Sequence, residues 1–527
     1  MRKVEAEETT LLRPREHTID FPTGSKKFFI LVSLYAGVLL AALDGTIVAS
    51  LLSHIASDLG NLSFAPWIAS SYMALSTAFQ PLFGKLSDIF GRKCCLIACH
   101  TLFAIGSLVS GVSYRMSTLI AGRCIQGIGG GGLIALSSIV VSDLIPLRER
   151  GIYQGLSNIS FGIGASLGGS IGGIVSDRFG WRYAFLGQVA LSFIAMCLVY
   201  LKLEETNVNE AGSTRSQLRN VDFHGSFSLL GSFMLFFLAL NLGGTYVPWR
   251  SWQIGCLSFS FLILFLCFLR AEKRDPEKAI VPLHLFENST VCLSSIICLL
   301  ASMAAYSYIY HLPVYTEIVL GKSAAASGLL LAINFIGVML GSLGSGFIMR
   351  TTENYKTLLI LGGAVYIVTC GRLYTFDLNT SEQKQLITVC CLGLGYSCTI
   401  TVALVAIMSS VSHETQAISS SVFYASRGFG STLGVAVSSS IFANSLRYFL
   451  NRYISGPERE RIIEMALSSS DAVKTFPEEY KLQAIQSYSS SLKVVFAFIT
   501  GLSVLLWLFS MPIKQNQLDE DSKEFEE

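Results

Sequence analysis

The sequence predicts an all-α polytopic membrane protein, and three observations carry that prediction. Apolar residues make up 51% of the 527 residues and charged residues only 14%, against about a quarter charged in an ordinary soluble domain. Mean hydropathy is +0.54. The apolar residues are also gathered into blocks: a bilayer core of ~30 Å needs about 20 apolar residues in helical form, and block after block, starting with 28–52, meets that length.

Read in order between polar breaks, the apolar runs fall at 28–52, 66–84, 94–112, 117–143, 152–174, 183–201, 223–243 and 252–270. A second set follows at 289–313, 324–349, 357–376, 385–409, 416–442 and 491–511, which makes fourteen. The net charge of +2 is nearly balanced and shows no basic stripe with interleaved aromatics, so nucleic acid is excluded as a partner and the bilayer is the expected one. Most of the thirteen cysteines, such as Cys256, Cys292 and Cys398, lie inside apolar runs and read as small buried hydrophobes rather than a disulfide frame. Residues 1–27 are polar, with no removable leader, so the first run is expected to anchor the chain.

Orientation follows from lysine and arginine in the short loops. Lys26, Lys27, Lys85, Arg92, Lys93, Arg148, Arg150, Arg270, Lys273, Arg274 and Lys278 all fall on one side, which places both termini in the cytosol. The stretch 444–490 reads as a long loop on the far side, where the charge rule does not apply. The sequons at Asn61 and Asn379 land in far-side loops, as glycan acceptors must, whereas those at Asn288 and Asn158 fall at a helix start and inside a span and read as chance.

After the second run comes Gly84-Lys85-Leu86-Ser87-Asp88-Ile89-Phe90-Gly91-Arg92-Lys93. Glycines let two helix ends approach, Asp88 can pair with arginine or a helix N-terminus, and Arg92 and Lys93 hold the turn in the cytosol. These residues resemble the signature loop of the major facilitator superfamily. Leu43-Asp44-Gly45-Thr46-Ile47-Val48 resembles the aspartate motif of its fourteen-span drug:proton antiporter branch, and Arg123-Cys124-Ile125-Gln126-Gly127-Ile128-Gly129 resembles the family's buried-arginine motif. Gly155, Gly164, Gly168, Gly172 and Gly173 follow at the antiporter-motif spacing, with Gly169 where that motif carries proline. Residues 346–356 sit where the signature loop would repeat, without its aspartate.

The resemblance implies a major facilitator fold: a cytosolic tail at 1–27, a six-helix half at 28–201, a linker at 202–288 with two extra helices, a second six-helix half at 289–513 and an acidic cytosolic tail at 514–527. Two enzyme-like strings, Gly127-x-Gly129-x-x-Gly132 and Gly164-Ala165-Ser166-Leu167-Gly168, lie within apolar helices and follow no strand, so they read as helix packing by small residues and not as catalytic motifs. No metal site and no cofactor is expected; the driving force would be a proton gradient.

Asp44 and Arg123 are charges inside spans, each costing at least ~2.5–3.5 kcal/mol on insertion scales, so they are expected to face a partner or a water-filled cavity. One reading is a fixed pair that only holds two helices together. The other is a coupling pair, Asp44 alternating between protonated and ionised states with Arg123 favouring the carboxylate when close. Glu317, Asn334 and Arg427 are the second-half cavity candidates; a loop position suits Glu317 and a helix–helix hydrogen bond suits Asn334. Arg427 lies near mid-span with no carboxylate in its own run, although the resemblance leaves a structural role open for it.

The tail string Glu7-Glu8-Thr9-Thr10-Leu11-Leu12 has the form of a dileucine signal read by a sorting adaptor, with Glu7, Leu11 and Leu12 as its elements. Taken with residues 43–50, 129–133 and 147–151, the chain resembles the fungal vacuolar basic amino-acid transporters. That resemblance implies a monomer importing a small cationic substrate, lysine, histidine or arginine, into the vacuole in exchange for protons, with Asp44 suited to the cation. The alternative is a multidrug:proton exporter of the plasma membrane.

Overall fold

The computed structural model describes residues 24–516 apart from 60–64, 204–221, 244–246, 248–249, 275–278, 282, 323, 379, 457, 469–472 and 474–475. The chain forms α1 (Gly24–Asp58), α2 (Ala65–Phe90), α3 (Arg92–Gly111), α4 (Met116–Leu144), α5 (Leu147–Phe179), α6 (Trp181–Lys202), α7 (Phe223–Leu242) and α8 (Trp252–Arg274). It continues with α9 (Ser289–Val314), α10 (Ala324–Thr352), α11 (Tyr355–Tyr374), α12 (Glu382–Ser410), α13 (His413–Tyr453), α14 (Arg459–Ser468) and α15 (Glu478–Ser510). Among the described residues, β pairing is confined to an isolated bridge between Gly243 and Val247.

Each predicted apolar run lies on one of these helices, and eleven of them are long and apolar enough to cross a membrane by length and composition. The exceptions are α2, α7 and α13: the described apolar part of α7, His224–Leu240, is shorter than the other spans, and the other two have a visible cause. α2 carries the buried Ser71, Ser76, Thr77 and Gln80, and α13 the buried Ser419, Ser420, Ser421 and Ser431, because both helices face the molecular interior and not lipid. The stretch 444–490 departs from the expected loop: α13 runs 41 residues to Tyr453, and α14 and the start of α15 fill most of the remainder. At 1.5 Å per residue, α13 is about 60 Å long and must project well beyond a ~30 Å hydrocarbon layer. Asn444 and Asn451 stay helical there, each donating its side-chain amide to the carbonyl four residues back at 2.8 Å.

Helices join tightly where glycine permits. Gly91 (φ 89°) alone separates α2 from α3, and Gly180 (φ 97°) alone separates α5 from α6, both in a region that side chains with a Cβ avoid. In the first half α1 packs on α5, α2 on α4, and α3 on α4 and α6; in the second, α9 packs on α13, α10 on α12, and α11 on α12 and α15. The halves meet along α5–α10 and α2–α13. Both enzyme-like strings are packing glycines inside helices: a Cβ on Gly127 would strike the backbone of Tyr72 and one on Gly129 the backbone of Cys99 and Phe103, while Gly164 abuts Leu39 and Gly168 abuts Leu43 and Thr46. All thirteen cysteines are free.

The α7–α8 hairpin lies against the α2–α13 contact. Leu229 and Phe268 share an apolar cluster with Leu82 of α2 and Val422 of α13, and Phe236 stacks on Phe429 at 4.6 Å. The buried carboxylate of Glu272 at the end of α8 accepts the amide N–H groups of Ile280 and Val281, turning the chain back toward α9.

Candidate functional site

A cavity of about 320 Å³ lies between the two halves, lined from α1, α2, α4, α5, α9, α10, α12 and α13. Its wall is mostly apolar and aromatic, with Met73, Phe161, Phe335, Tyr306, Tyr396 and Tyr424 prominent. Besides serine, threonine and tyrosine hydroxyls, its polar groups are Gln80, Asn158, Asn334, Arg123 and Arg427.

Beside this cavity sits the Asp44–Arg123 pair. The close approach of α1 to Gly164 and Gly168 of α5, and of α2 to the glycines of α4, brings the two helices near enough for their side chains to meet. Arg123 donates from Nη1 to Asp44 Oδ1 at 2.8 Å, to Asp44 Oδ2 at 2.7 Å and to Gln126 Oε1 at 2.6 Å. Its Nε donates to the Ile68 carbonyl at 3.0 Å, which fixes the guanidinium against the start of α2. Gln126 in turn donates from Nε2 to Asp44 at 2.9 Å, Ser107 at 2.8 Å and Gln188 at 3.2 Å. The Tyr72 ring lies 4.5 Å and the Phe185 ring 5.8 Å from the guanidinium carbon. Asp44, Arg123 and Gln126 are all 0% exposed, so each charge has exchanged water for the other and for hydrogen bonds, the condition under which a buried pair is tolerated.

Arg123 and Tyr72 line the cavity, but Asp44 stands behind them and does not. Both of its oxygens are occupied by Arg123 and Gln126, so Asp44 meets the cavity through these two side chains. One atom of the cluster is left over, Arg123 Nη2, which is buried without a partner.

The cavity is closed at the end that carries the signature loop. Asn158 of α5 donates to Ser342 Oγ at 2.8 Å and Thr401 Oγ1 at 3.2 Å, across the interface between the halves. Arg150 donates to Gln416 at 2.9 Å, Gln154 donates to the Tyr424 hydroxyl, and Glu149 pairs with Arg350 at 3.2 Å. Gly151 and Gly346 pack backbone to backbone at the same level. Asn158 is thus an interhelical donor, and Asn288 is the N-cap of α9, accepting from the Thr290 amide at 2.9 Å; the sequon in each is incidental to a structural task.

The signature loop is an ion-pair hub. Arg92 donates to Asp88 and Ser87 and, through Nε, to Asp143 at the end of α4 at 2.9 Å. Gly84 lies so close to Ser421 of α13 that a Cβ would collide with it, and the Lys93 ammonium sits 5.1 Å from the Tyr200 ring. The glycines of α5 serve two partners: Gly164 and Gly168 admit α1, Gly155 admits α10 at Ser342, and a Cβ on Gly173 would meet nothing within 4 Å. Gly172 is buried. α5 runs unbroken through Gly169, as one helix of 33 residues.

A family model described as Major Facilitator Superfamily matches residues 34–435. The chain belongs to the major facilitator superfamily. It is a multi-pass membrane protein in a family of transporters rather than enzymes. It is 32% identical to the multidrug resistance protein fnx1 of Schizosaccharomyces pombe, over 97% of this chain and 96% of that protein. It is 33% identical to vacuolar basic amino acid transporter 2 of Saccharomyces cerevisiae, over 84% of this chain and 96% of that one. Its fold matches the proton:xylose symporter XylE at a TM-score of 0.61 and 14% identity, covering 95% and 99% of the two chains.

In the second half of this major facilitator fold the three candidates separate. Asn334 lines the cavity and donates to the Tyr308 hydroxyl at 2.9 Å and the Val389 carbonyl at 3.0 Å, joining α10 to α9 and α12. Glu317 lies outside the cavity wall, half-buried on the π-helical turn Tyr315–Val319 where α9 ends. Arg427 lines the cavity with its guanidinium carbon 5.0 Å from the Phe161 ring. Glu7, Leu11, Leu12, Asn61 and Asn379 lie outside the described residues. Reading the sequence missed Gln188 as a partner of the pair, Asn158 as a cross-half donor and Asp143 as the second acid on Arg92; the only signal for each was a polar residue inside an apolar run.

Proposed function

We propose that this chain is a proton-coupled secondary transporter that carries basic amino acids, lysine, histidine or arginine, into the vacuole in exchange for protons. The observation that carries the reading is the fully buried cluster of Asp44, Arg123 and Gln126, which reaches the wall of the central cavity through Arg123. A proton placed on Asp44 neutralises the carboxylate and leaves Arg123 as a buried charge without a counter-ion, at a cost of about 3–5 kcal/mol. Arg123 already forms part of the cavity wall, so movement of its guanidinium toward the cavity relieves that cost and changes the site seen by substrate. Proton occupancy and substrate affinity are then linked through one side chain.

The rest of the reading is assembled around this site. Fourteen spans place both termini in the cytosol, α7 and α8 join the two six-helix halves, the protein works as a monomer, and Glu7, Leu11 and Leu12 supply the address to a sorting adaptor. Asn61 and Asn379 are lumenal glycan acceptors. The vacuolar amino-acid relative supports the substrate class, and the exchange direction follows from an acidic lumen.

The second reading, a multidrug:proton exporter of the plasma membrane, is favoured by the apolar and aromatic share of the cavity wall. Uptake of labelled lysine, arginine and histidine into energised vacuoles from cells with and without the protein, alongside drug sensitivity of the same cells, separates the two. Protein-dependent uptake supports the first; unchanged uptake with altered drug resistance overturns it.

A further inference from the structure

The cavity holds two arginines of unlike standing. Arg123 is neutralised by Asp44 behind it. Arg427 has no such counter-ion: among the described residues it makes no hydrogen bond and no ion pair, and its one directional contact is the face of Phe161. Among the described residues, the cavity wall contains no aspartate or glutamate. Around it, the Tyr396 hydroxyl and the Ser397 hydroxyl are buried without partners, and both residues belong to the same wall. A guanidinium inside a membrane span is expensive, and it normally faces an acceptor or a water-filled path. Here the wall offers Arg427 no carboxylate among the described residues, and the unpartnered hydroxyls of Tyr396 and Ser397 are available as donors to an anion.

We propose that Arg427 is the anchor for a carboxylate on the transported molecule, which for an amino acid is its α-carboxylate. A guanidinium presents two parallel N–H groups matched to the two oxygens of a carboxylate, and such a pair gains strength where water is excluded. Electrostatics point the same way. A dibasic amino acid carries net positive charge, and an unneutralised arginine in the cavity repels it unless the single carboxylate is turned toward that arginine. The substrate therefore enters carboxylate first toward α13, leaving its cationic side chain to the tyrosine and phenylalanine faces of the wall, which accept cations through their π-systems. Discrimination against polyamines and other cations without a carboxylate follows from the same contact. The inference rests on the amino-acid reading for its choice of ligand.

The test uses the full-length protein in energised vesicles, with labelled lysine as the transported probe and three unlabelled competitors: lysine, 6-aminohexanoate, which keeps the carboxylate and lacks the α-amino group, and cadaverine, which lacks the carboxylate. In the wild type, lysine and 6-aminohexanoate compete and cadaverine does not. Arg427→Gln weakens competition by both carboxylates roughly tenfold or more, the usual scale for losing a hydrogen bond to a charged group, and leaves lysine and cadaverine alike. Arg427→Lys, which keeps the charge and loses the planar fork, gives an intermediate preference and reads the same ratio should the glutamine variant not fold. Equal competition by cadaverine in the wild type, or an unchanged preference in either variant, overturns the inference. If the wild type carries no basic amino acid, the transport reading fails by itself, and Arg427 is judged on purified protein: a thermal shift with 6-aminohexanoate that disappears in Arg427→Gln supports the anchor, and no shift, or one that persists, removes it.

Discussion

Arg123 offers a single nitrogen, Nη1, to both carboxylate oxygens of Asp44 and to Gln126, and leaves Nη2 with no partner at all. The pair is therefore held from one side of the guanidinium, and the other side is free to take a new acceptor when the first is lost. Asp44→Asn keeps the shape and removes the charge. Proton-driven uptake in reconstituted vesicles is expected to disappear, while thermal unfolding of the purified variant shows a loss of about 3–5 kcal/mol from the stranded Arg123. Adding Arg123→Gln to Asp44→Asn restores most of that stability and none of the uptake. Normal proton-coupled transport by Asp44→Asn would mean that the pair only ties α1 to α4.

The contact of Asn158 with Ser342 and Thr401 joins the halves on the signature-loop side of the cavity. Asn158→Ala removes the donor, and Thr401→Val removes an acceptor. Each is expected to raise amide hydrogen exchange in the facing parts of α5, α10 and α12, and the double variant is expected to fall short of the sum by about 0.5–1.5 kcal/mol, since the two changes delete one shared interaction. Strict additivity would place the closure elsewhere.

Two glycines of α5 should respond in opposite ways to an added side chain. Gly168→Val drives a branched side chain into the backbone of Leu43 and the hydroxyl of Thr46, and is expected to cost about 1–3 kcal/mol or to prevent recovery of monodisperse protein. Gly173→Ala meets no atom within 4 Å and gains up to about 1 kcal/mol of helix propensity. Detergent-solubilised melting temperatures of the two variants check the pair.

At the far end of α1, beyond its apolar part Gly24–Val48, Asp58 accepts from the Trp181 indole at 3.0 Å and from Arg182 at 3.0 Å. These hydrogen bonds lower its carboxyl below the ordinary value of 3.8. A depressed carboxyl stabilises the fold above its unfolded pKa, and that contribution is lost as pH falls through the lower folded value. The gap in melting temperature between wild type and Asp58→Asn is thus expected to stay level from neutral pH down to about 5 and to close only below about 4. A gap that closes between pH 7 and 5 would show that another group controls this tie.

Helix positions were legible in the sequence because each apolar run is long enough to satisfy its own backbone in lipid, which leaves few alternatives. Asp44 and Arg123 were legible because a charge in such a run needs a reason, and Asp88 because it stands in the string Gly84 to Lys93. What each helix turns inward was not legible: spans apolar on all sides carry no period that reports rotation, so Asn158, Gln80 and the four cavity tyrosines, Tyr72, Tyr306, Tyr396 and Tyr424, looked like any other span residues. Glu317, whose charge near a helix end suited a loop better than a cavity, lies on the π-helical turn that ends α9. The length of α13 was hidden because Asn444 and Asn451 read as loop residues, while their side chains bond back along the helix and let it continue.

The α7–α8 hairpin does more than connect two halves. Leu229 and Phe268 rest with Leu82 of the first half, and Phe236 rests on Phe429 of the second, so the hairpin roofs one of the two lines along which the halves slide. A rocking bundle exposes such lines to acyl chains each time it tilts. With α2–α13 roofed by phenylalanine, that line is sealed from within the protein, and in a fold that works by rocking its halves the hairpin is expected to slip against one half when the other moves.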